Sequence, residues 1–111
     1  MYSLGRHPEV KQKLQQELDE VLGKDPTKPI TYKDLDELKY CDAIIKEVFR
    51  HYPVTFVIGR VNSEIDMIGG YNWPEKTTFQ TFVSAVMMHK NYWTDPEKFD
   101  PDRFYKIEIF T

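Results

Sequence analysis

Leu38–Pro53 reads LKYCDAIIKEVFRHYP, and the fold turns on how this stretch is read. Ile44, Ile45, Val48, Phe49 and Tyr52 recur at the i, i+1, i+4, i+5, i+8 spacing that gathers side chains on one helical face. At about 100° per residue Cys41 joins that stripe, while Glu47 and Arg50 fall well away from its centre. Pro53 stops the helix, because proline has no N–H to donate and restricts the residue before it. Three positions apart, Glu47 and Arg50 are surface neighbours, and spacing alone predicts an exposed ion pair worth a few tenths of a kcal/mol.

Upstream, Met1 to Arg6 is short and mixed and reads as an irregular start. His7-Pro8-Glu9 opens a helix, with proline suited to the first helical position. Val10, Leu14, Leu18, Val21 and Leu22 form its apolar stripe among solvated lysines, glutamines and glutamates, and Gly23 ends it. Lys24 to Ile30, with Pro26 and Pro29, reads as a loop. Thr31-x-x-Asp34 has capping-box spacing, although Asp is short for that role, and a brief helix from Tyr32 to Glu37 should present Leu35 and Leu38 to the core.

Downstream of Pro53 the period changes. Val54 to Val61 is apolar and β-branched, as an extended segment requires. Gly69-Gly70, between Ile65–Ile68 and Tyr71–Trp73, supplies the positive φ angles of a tight hairpin. Pro74-Glu75-Lys76 reads as a turn, Thr77 to Phe82 as a strand, Ser84 to His89 as one or two helical turns, and Asn91 to Phe104 as an ordered loop. Repeats, low-complexity tracts and linkers are absent from the sequence, so residues 1–111 read as a single unit. The class is α+β, mainly helical in the first half, with a small antiparallel sheet in the second.

The chain carries a net charge of −3 and no basic run, which argues against a nucleic-acid partner. Its one cysteine excludes an internal disulfide. No stretch approaches the ~20 apolar residues that span a bilayer, and the N-terminus has no charged region followed by an apolar core. His7, His51 and His89 share no ligand spacing with Cys41, so a zinc site is not expected. A glycine-rich phosphate loop and a Gly-x-Ser-x-Gly elbow are likewise missing.

About fifty residues past the Glu-x-x-Arg of the helix stands YWTDPEKFDPDRF, Tyr92 to Phe104. Glu47-Val48-Phe49-Arg50 followed by Pro101-Asp102-Arg103-Phe104, with IGGYNWP between, resembles the cytochrome P-450 (haem-thiolate monooxygenase) family. The first motif matches its K helix, and the second its Pro-Glu-Arg-Phe motif with Asp in place of Glu. The resemblance covers about Tyr2 to Phe104, and the helix after Pro8 is similar to the family's J helix. It implies a partial cytochrome P-450 fold and, for the parent enzyme, NAD(P)H-dependent insertion of one oxygen atom from O₂ into a small organic substrate. Haem iron would be the cofactor, and a flavoprotein reductase or ferredoxin the electron donor. A eukaryotic parent would sit at the endoplasmic reticulum membrane; for this chain alone the location is undetermined.

The same resemblance implies that Glu47, Arg50 and Arg103 form one buried network that ties the K helix to the meander loop, as scaffold and not as catalyst. Carboxylate and guanidinium suit each other because the planar fork donates two parallel hydrogen bonds. Arg60 and His89 are implied haem-propionate donors, and Val54, Thr55, Phe56, Val57 and Ile58 match the segment lining the family's substrate pocket. The family's iron ligand lies in a Phe-x-x-Gly-x-Arg-x-Cys-x-Gly loop after the Pro-x-Arg-Phe motif, and its oxygen-activating helix would precede Tyr2. Cys41 stands elsewhere, on a helix stripe, where a free cysteine is usually a small core residue. The expectation is therefore an internal fragment with no catalytic residue, no metal ligand and no thiolate-bound haem of its own. It should be inactive and poorly folded in isolation. The alternative is a non-catalytic interaction or remnant domain that keeps the K-helix fold without haem.

Overall fold

The structure is a computed structural model and describes residues 2–105. Its elements in chain order are α1 (Tyr2–Arg6), α2 (Pro8–Leu22), α3 (Tyr32–Glu37), α4 (Lys39–His51), β1 (Val57–Val61), β2 (Asp66–Ile68), β3 (Tyr71–Trp73), β4 (Thr78–Phe82), α5 (Val83–Met87) and α6 (Asp102–Tyr105). They fall into two compact units. One holds the residues up to Arg50 together with those from Lys98 onward, and the other holds His51–Glu97.

The first unit is helical. Val10, Tyr40, Ile44 and Phe99 form its buried cluster, with Leu4, Leu14 and Val48 packed against it. Residues 2–6, expected to be irregular, form a helical turn instead. Leu4 packs on the core, and the Arg6 guanidinium lies 5.0 Å over the Tyr2 ring four positions back, a contact that helical spacing makes possible. α2 begins at Pro8 and ends before Gly23, whose φ of 75° is the left-handed value glycine takes cheaply. Of its apolar stripe only Val10 is fully buried.

The capping box of α3 is present. The Asp34 amide donates to Thr31 Oγ1 at 3.3 Å, and the Thr31 amide donates to Asp34 Oδ2 at 2.8 Å. The shorter Asp serves because the Thr31 hydroxyl also donates to it at 2.7 Å, and these bonds hold its carboxyl below the ordinary carboxylate range. Leu35, expected in the core, is half exposed, since six residues give α3 no buried face.

α4 is where pattern reading and structure part. Its buried residues are Tyr40, Ala43, Ile44, Glu47 and Arg50, a face that follows the i, i+3, i+4, i+7 rule but carries charge. The apolar stripe is split: Ile44 is buried and Val48 packs on the core, while Ile45, Phe49 and Tyr52 are 49%, 54% and 56% exposed. The helix is oriented by what satisfies Glu47 and Arg50, since leaving a buried charge unpaired costs more than leaving an isoleucine half in water.

The second unit is built on hairpins. β1 pairs antiparallel with β4, from Val57 opposite Phe82 to Val61 opposite Thr78. β2 and β3 form a separate ribbon with Ile68 opposite Tyr71, and Gly69 and Gly70 at φ 64° and 82° make the two-residue turn. Asn62 links the two pairs. Its backbone extends the β1–β4 ladder to Thr77 and Lys76, and its side-chain amide donates to the Glu64 and Pro74 carbonyls, both at 2.8 Å. Trp73 packs edge-on to Phe79, with ring centroids 5.5 Å apart. Residues 102–104, read as loop, form with Tyr105 the helical turn α6, in which the Phe104 and Tyr105 amides donate to the Pro101 carbonyl.

The start of α4 has no capping side chain beside it in sequence. Leu38 precedes it, and Glu17 of α2 supplies the acceptor, with its two oxygens 2.7 Å from the Tyr40 amide and 2.9 Å from the Cys41 amide. A carboxylate at a helix N-terminus satisfies orphan donors and complements the dipole. Glu17→Ala should therefore weaken the cap by ~1–2 kcal/mol. In native-state hydrogen exchange of the full-length protein, the Tyr40 and Cys41 amides should exchange roughly 5- to 30-fold faster. Unchanged rates at both would show that the contact does not support the helix.

Candidate functional site

Glu47 is fully buried and Arg50 is 2% exposed, which makes them, with Pro101, the largest fully enclosed side chains described. Arg50 Nε donates to Glu47 Oε2 at 2.8 Å and Arg50 Nη2 to Oε1 at 3.0 Å, the two-pronged arrangement of a guanidinium on a carboxylate. Oε1 also accepts the Asp100 amide at 2.8 Å and Arg103 Nε at 3.3 Å. The Lys98 carbonyl accepts from Arg50 Nη2 at 3.3 Å and from Arg103 Nη2 at 3.2 Å. The structure thus brings Glu47, Arg50 and Arg103 together, and the surface ion pair expected from spacing is replaced by a buried cluster. The reason is the segment Lys98–Arg103, which lays a carbonyl, an amide and a second guanidinium over the helix face. Spacing within α4 could not show that segment.

Desolvating these charges is costly, and the gain is returned only because several donors meet each acceptor. The cluster contains no obvious proton donor or nucleophile poised for reaction. It fixes the segment around Phe99 to α4, with the Phe99 ring in the core and stacked 5.0 Å from the His7 ring at 25°.

The other residues singled out lie in the second unit. Arg60 is exposed near the end of β1, opposite Phe79, and its guanidinium has no partner among the described residues. His89, just past α5, is exposed. Its Nδ1 accepts the Asn91 amide at 3.2 Å, which leaves Nε2 to carry the proton of the neutral ring. Both could donate to a carboxylate. Val54, Thr55, Phe56 and Ile58 are exposed and Val57 is half-buried. The backbone amide of Val83 donates to the Phe56 carbonyl at 2.9 Å, tying this segment to α5. Residues that pattern reading missed are Glu17, Lys13 and Asn62, because each acts on a backbone or side chain far away in sequence.

Cys41 is half-buried, not core, and lines an apolar groove of about 420 Å³ with Leu4, Leu14, Ile44 and Phe49. Burial pushes its thiol up, and the nearby carboxylates of Glu17 and Asp42 push it further. Alkylation of Cys41 by iodoacetamide should be slow at neutral pH, and its pH profile should lie to the alkaline side of free cysteine. A profile on the acid side would contradict this assignment. Among the described residues no three of His, Cys, Asp and Glu gather as a metal-ligand set.

Comparison with known proteins adds a lineage to this geometry. The family model described as Cytochrome P450 matches residues 1–109. Cytochrome P450 4d2 of Drosophila melanogaster is 40% identical over 104 residues, 94% of this chain and 21% of that protein. Cytochrome P450 4V2 of Mus musculus is 41% identical over 95% of this chain and 20% of its own length. Flavonoid 3'-monooxygenase of Arabidopsis thaliana is 39% identical over 89% and 19%. A solved zebrafish cytochrome P450, in a structure with progesterone, superposes with a TM-score of 0.85 at 31% identity, covering 93% of this chain and 24% of that one. The chain therefore spans about a fifth of the length of the curated relatives it matches, and it belongs to the cytochrome P450 family.

Proposed function

We propose that this chain is the scaffold portion of a haem-dependent monooxygenase, and that its two compact units are parts of one haem-binding domain. The observation that carries the reading is the fully buried Glu47, held by two guanidinium groups and a backbone amide. A cluster of that cost, holding one loop to one helix, is best explained by a demand for position. Haem, when bound, supplies the activation of O₂ and the transfer of one oxygen atom to an organic substrate, the other leaving as water. Arg60 and His89 would hold its propionates as hydrogen-bond donors. Val54–Ile58 would offer apolar contacts to the substrate. Electrons would come from NAD(P)H through a flavoprotein reductase or a ferredoxin. For a eukaryotic parent the endoplasmic reticulum membrane is the proposed site, although no helix among the described residues is long and apolar enough to cross a bilayer.

Residues 1–111 alone are proposed to be inactive. Cys41 does not suit the axial position, and the exposed stripe Ile45, Phe49 and Tyr52 gives the chain a surface prone to association. Mixed with haemin, reduced and treated with carbon monoxide, the chain should lack a red-shifted thiolate Soret band. A band that disappears in Cys41→Ala would overturn that statement.

For the scaffold itself, Glu47→Ala and Arg50→Lys in the full-length protein should each sharply lower haem content per chain. Removing one partner of a buried pair costs roughly 3–5 kcal/mol, and lysine has no planar fork with which to replace arginine. Normal haem loading in both variants would reduce the cluster to an ordinary ion pair.

A further inference from the structure

α2 carries two charged residues one turn apart, and each reaches an element of the Glu47 cluster. Lys13 Nζ lies 3.1 Å from Asp102 Oδ2 and 3.3 Å from Oδ1, at the first residue of α6. The same ammonium stands 5.5 Å over the Tyr40 ring, which in turn meets Tyr105 edge-on at 5.4 Å and 85°. Asp102 and Tyr105, three positions apart on α6, are therefore held by Lys13 of α2 and by Tyr40 of α4, the ring that Lys13 covers, and Arg103 is carried between them. Glu17, the next turn of α2, holds the amides of Tyr40 and Cys41. Seven residues on from Tyr40, along the same face of α4, stands Glu47.

The legs of the cluster differ in what sets them. Arg50 and Glu47 share a helix, and i, i+3 spacing brings them together without help. Arg103 reaches Glu47 from another element, with Nε 3.3 Å from Oε1, toward the long end of an N–H···O bond. Its placement depends on what fixes α6 against α4, and α2 touches both. Lys13 and Asp102 are each partly exposed, so their ion pair contributes little to global stability. The bond to Asp102 holds the Lys13 ammonium above its ordinary range.

We propose that Lys13 and Glu17 are positioning residues, through which α2 sets the register of α6 against α4 that puts Arg103 on Glu47 and, through that cluster, retains haem. The last step rests on the scaffold reading given above. The Asp in place of Glu at position 102 belongs to this arrangement, as the acceptor that Lys13 reaches.

The test uses the full-length haem protein carrying Lys13→Met, Lys13→Arg, Asp102→Asn, Glu47→Gln or Lys13→Met with Asp102→Asn. Two quantities are measured: hydrogen exchange at the Asp100 amide, which donates to Glu47, and the rate of haem release to an acceptor globin. Lys13→Met and Asp102→Asn should each accelerate both by about fivefold, the size of coupling expected between groups in contact. The double variant should add nothing further, and Lys13→Arg should behave as the parent protein. Exchange at Asp100 that ignores Lys13→Met and Asp102→Asn while responding to Glu47→Gln would overturn the proposal, as would additive effects in the double variant. If exchange responds as expected but haem release is unmoved even in Glu47→Gln, the positioning by α2 holds and the scaffold reading falls. Asp102→Asn keeps the side-chain shape, so the pair is tested even if Lys13→Met fails to fold.

Discussion

One buried carboxylate organises the first unit. Glu47 is shut off from water, so each of its oxygens must find donors within the protein, and it finds them from both sides: Arg50 on its own helix, Arg103 and the Asp100 amide from the segment after Lys98. The energy of such a cluster is a small difference between large terms, and hydrophobic side chains of the same volume would hold the helix as well or better. What apolar packing would not supply is direction. A guanidinium fork accepts only a narrow set of orientations, so the cluster fixes where the chain around Phe99 runs relative to α4.

That constraint explains which parts of the fold were legible in the sequence. Features set by neighbouring residues could be read directly: Pro8 and Gly23 bounding α2, the capping box Thr31–Asp34, the Gly69-Gly70 hairpin and the change of period after Pro53. Features set by distant residues could not. The apolar stripe Ile44, Ile45, Val48, Phe49 and Tyr52 pointed to one core face, yet only Ile44 and Val48 pack on the core, and Glu47 and Arg50 turn inward because the Lys98–Arg103 segment supplies partners. Only the family resemblance, which ties Glu-x-x-Arg to Pro-x-Arg-Phe, linked those two stretches. Glu17 capping α4 and Lys13 reaching Asp102 left no local trace, for each looked like one more charge on a solvated face.

The outward stripe has a second meaning. The stripe lies on a chain that spans about a fifth of the length of the curated relatives it matches. Phe49 and Ile45 border the same apolar groove as Leu4 and Cys41. Apolar area left in water on these half-exposed residues forgoes about 25 cal/mol per Å².

The division of labour on α4 follows from these two facts taken together. One face is satisfied locally, by charges whose partners lie within the same compact unit, and so its geometry is fixed even where the apolar face is uncovered. Polar contacts demand specific partners and tolerate no substitute surface, whereas an apolar stripe accepts any complementary packing. On the scaffold reading proposed above, such a segment gains by placing its directional bonds on the inside and its non-directional contacts on the outside. The charged cluster sets the register of Glu47, Arg50 and the Lys98–Arg103 segment, and any packing on Ile45 and Phe49 would add stability without having to choose the geometry.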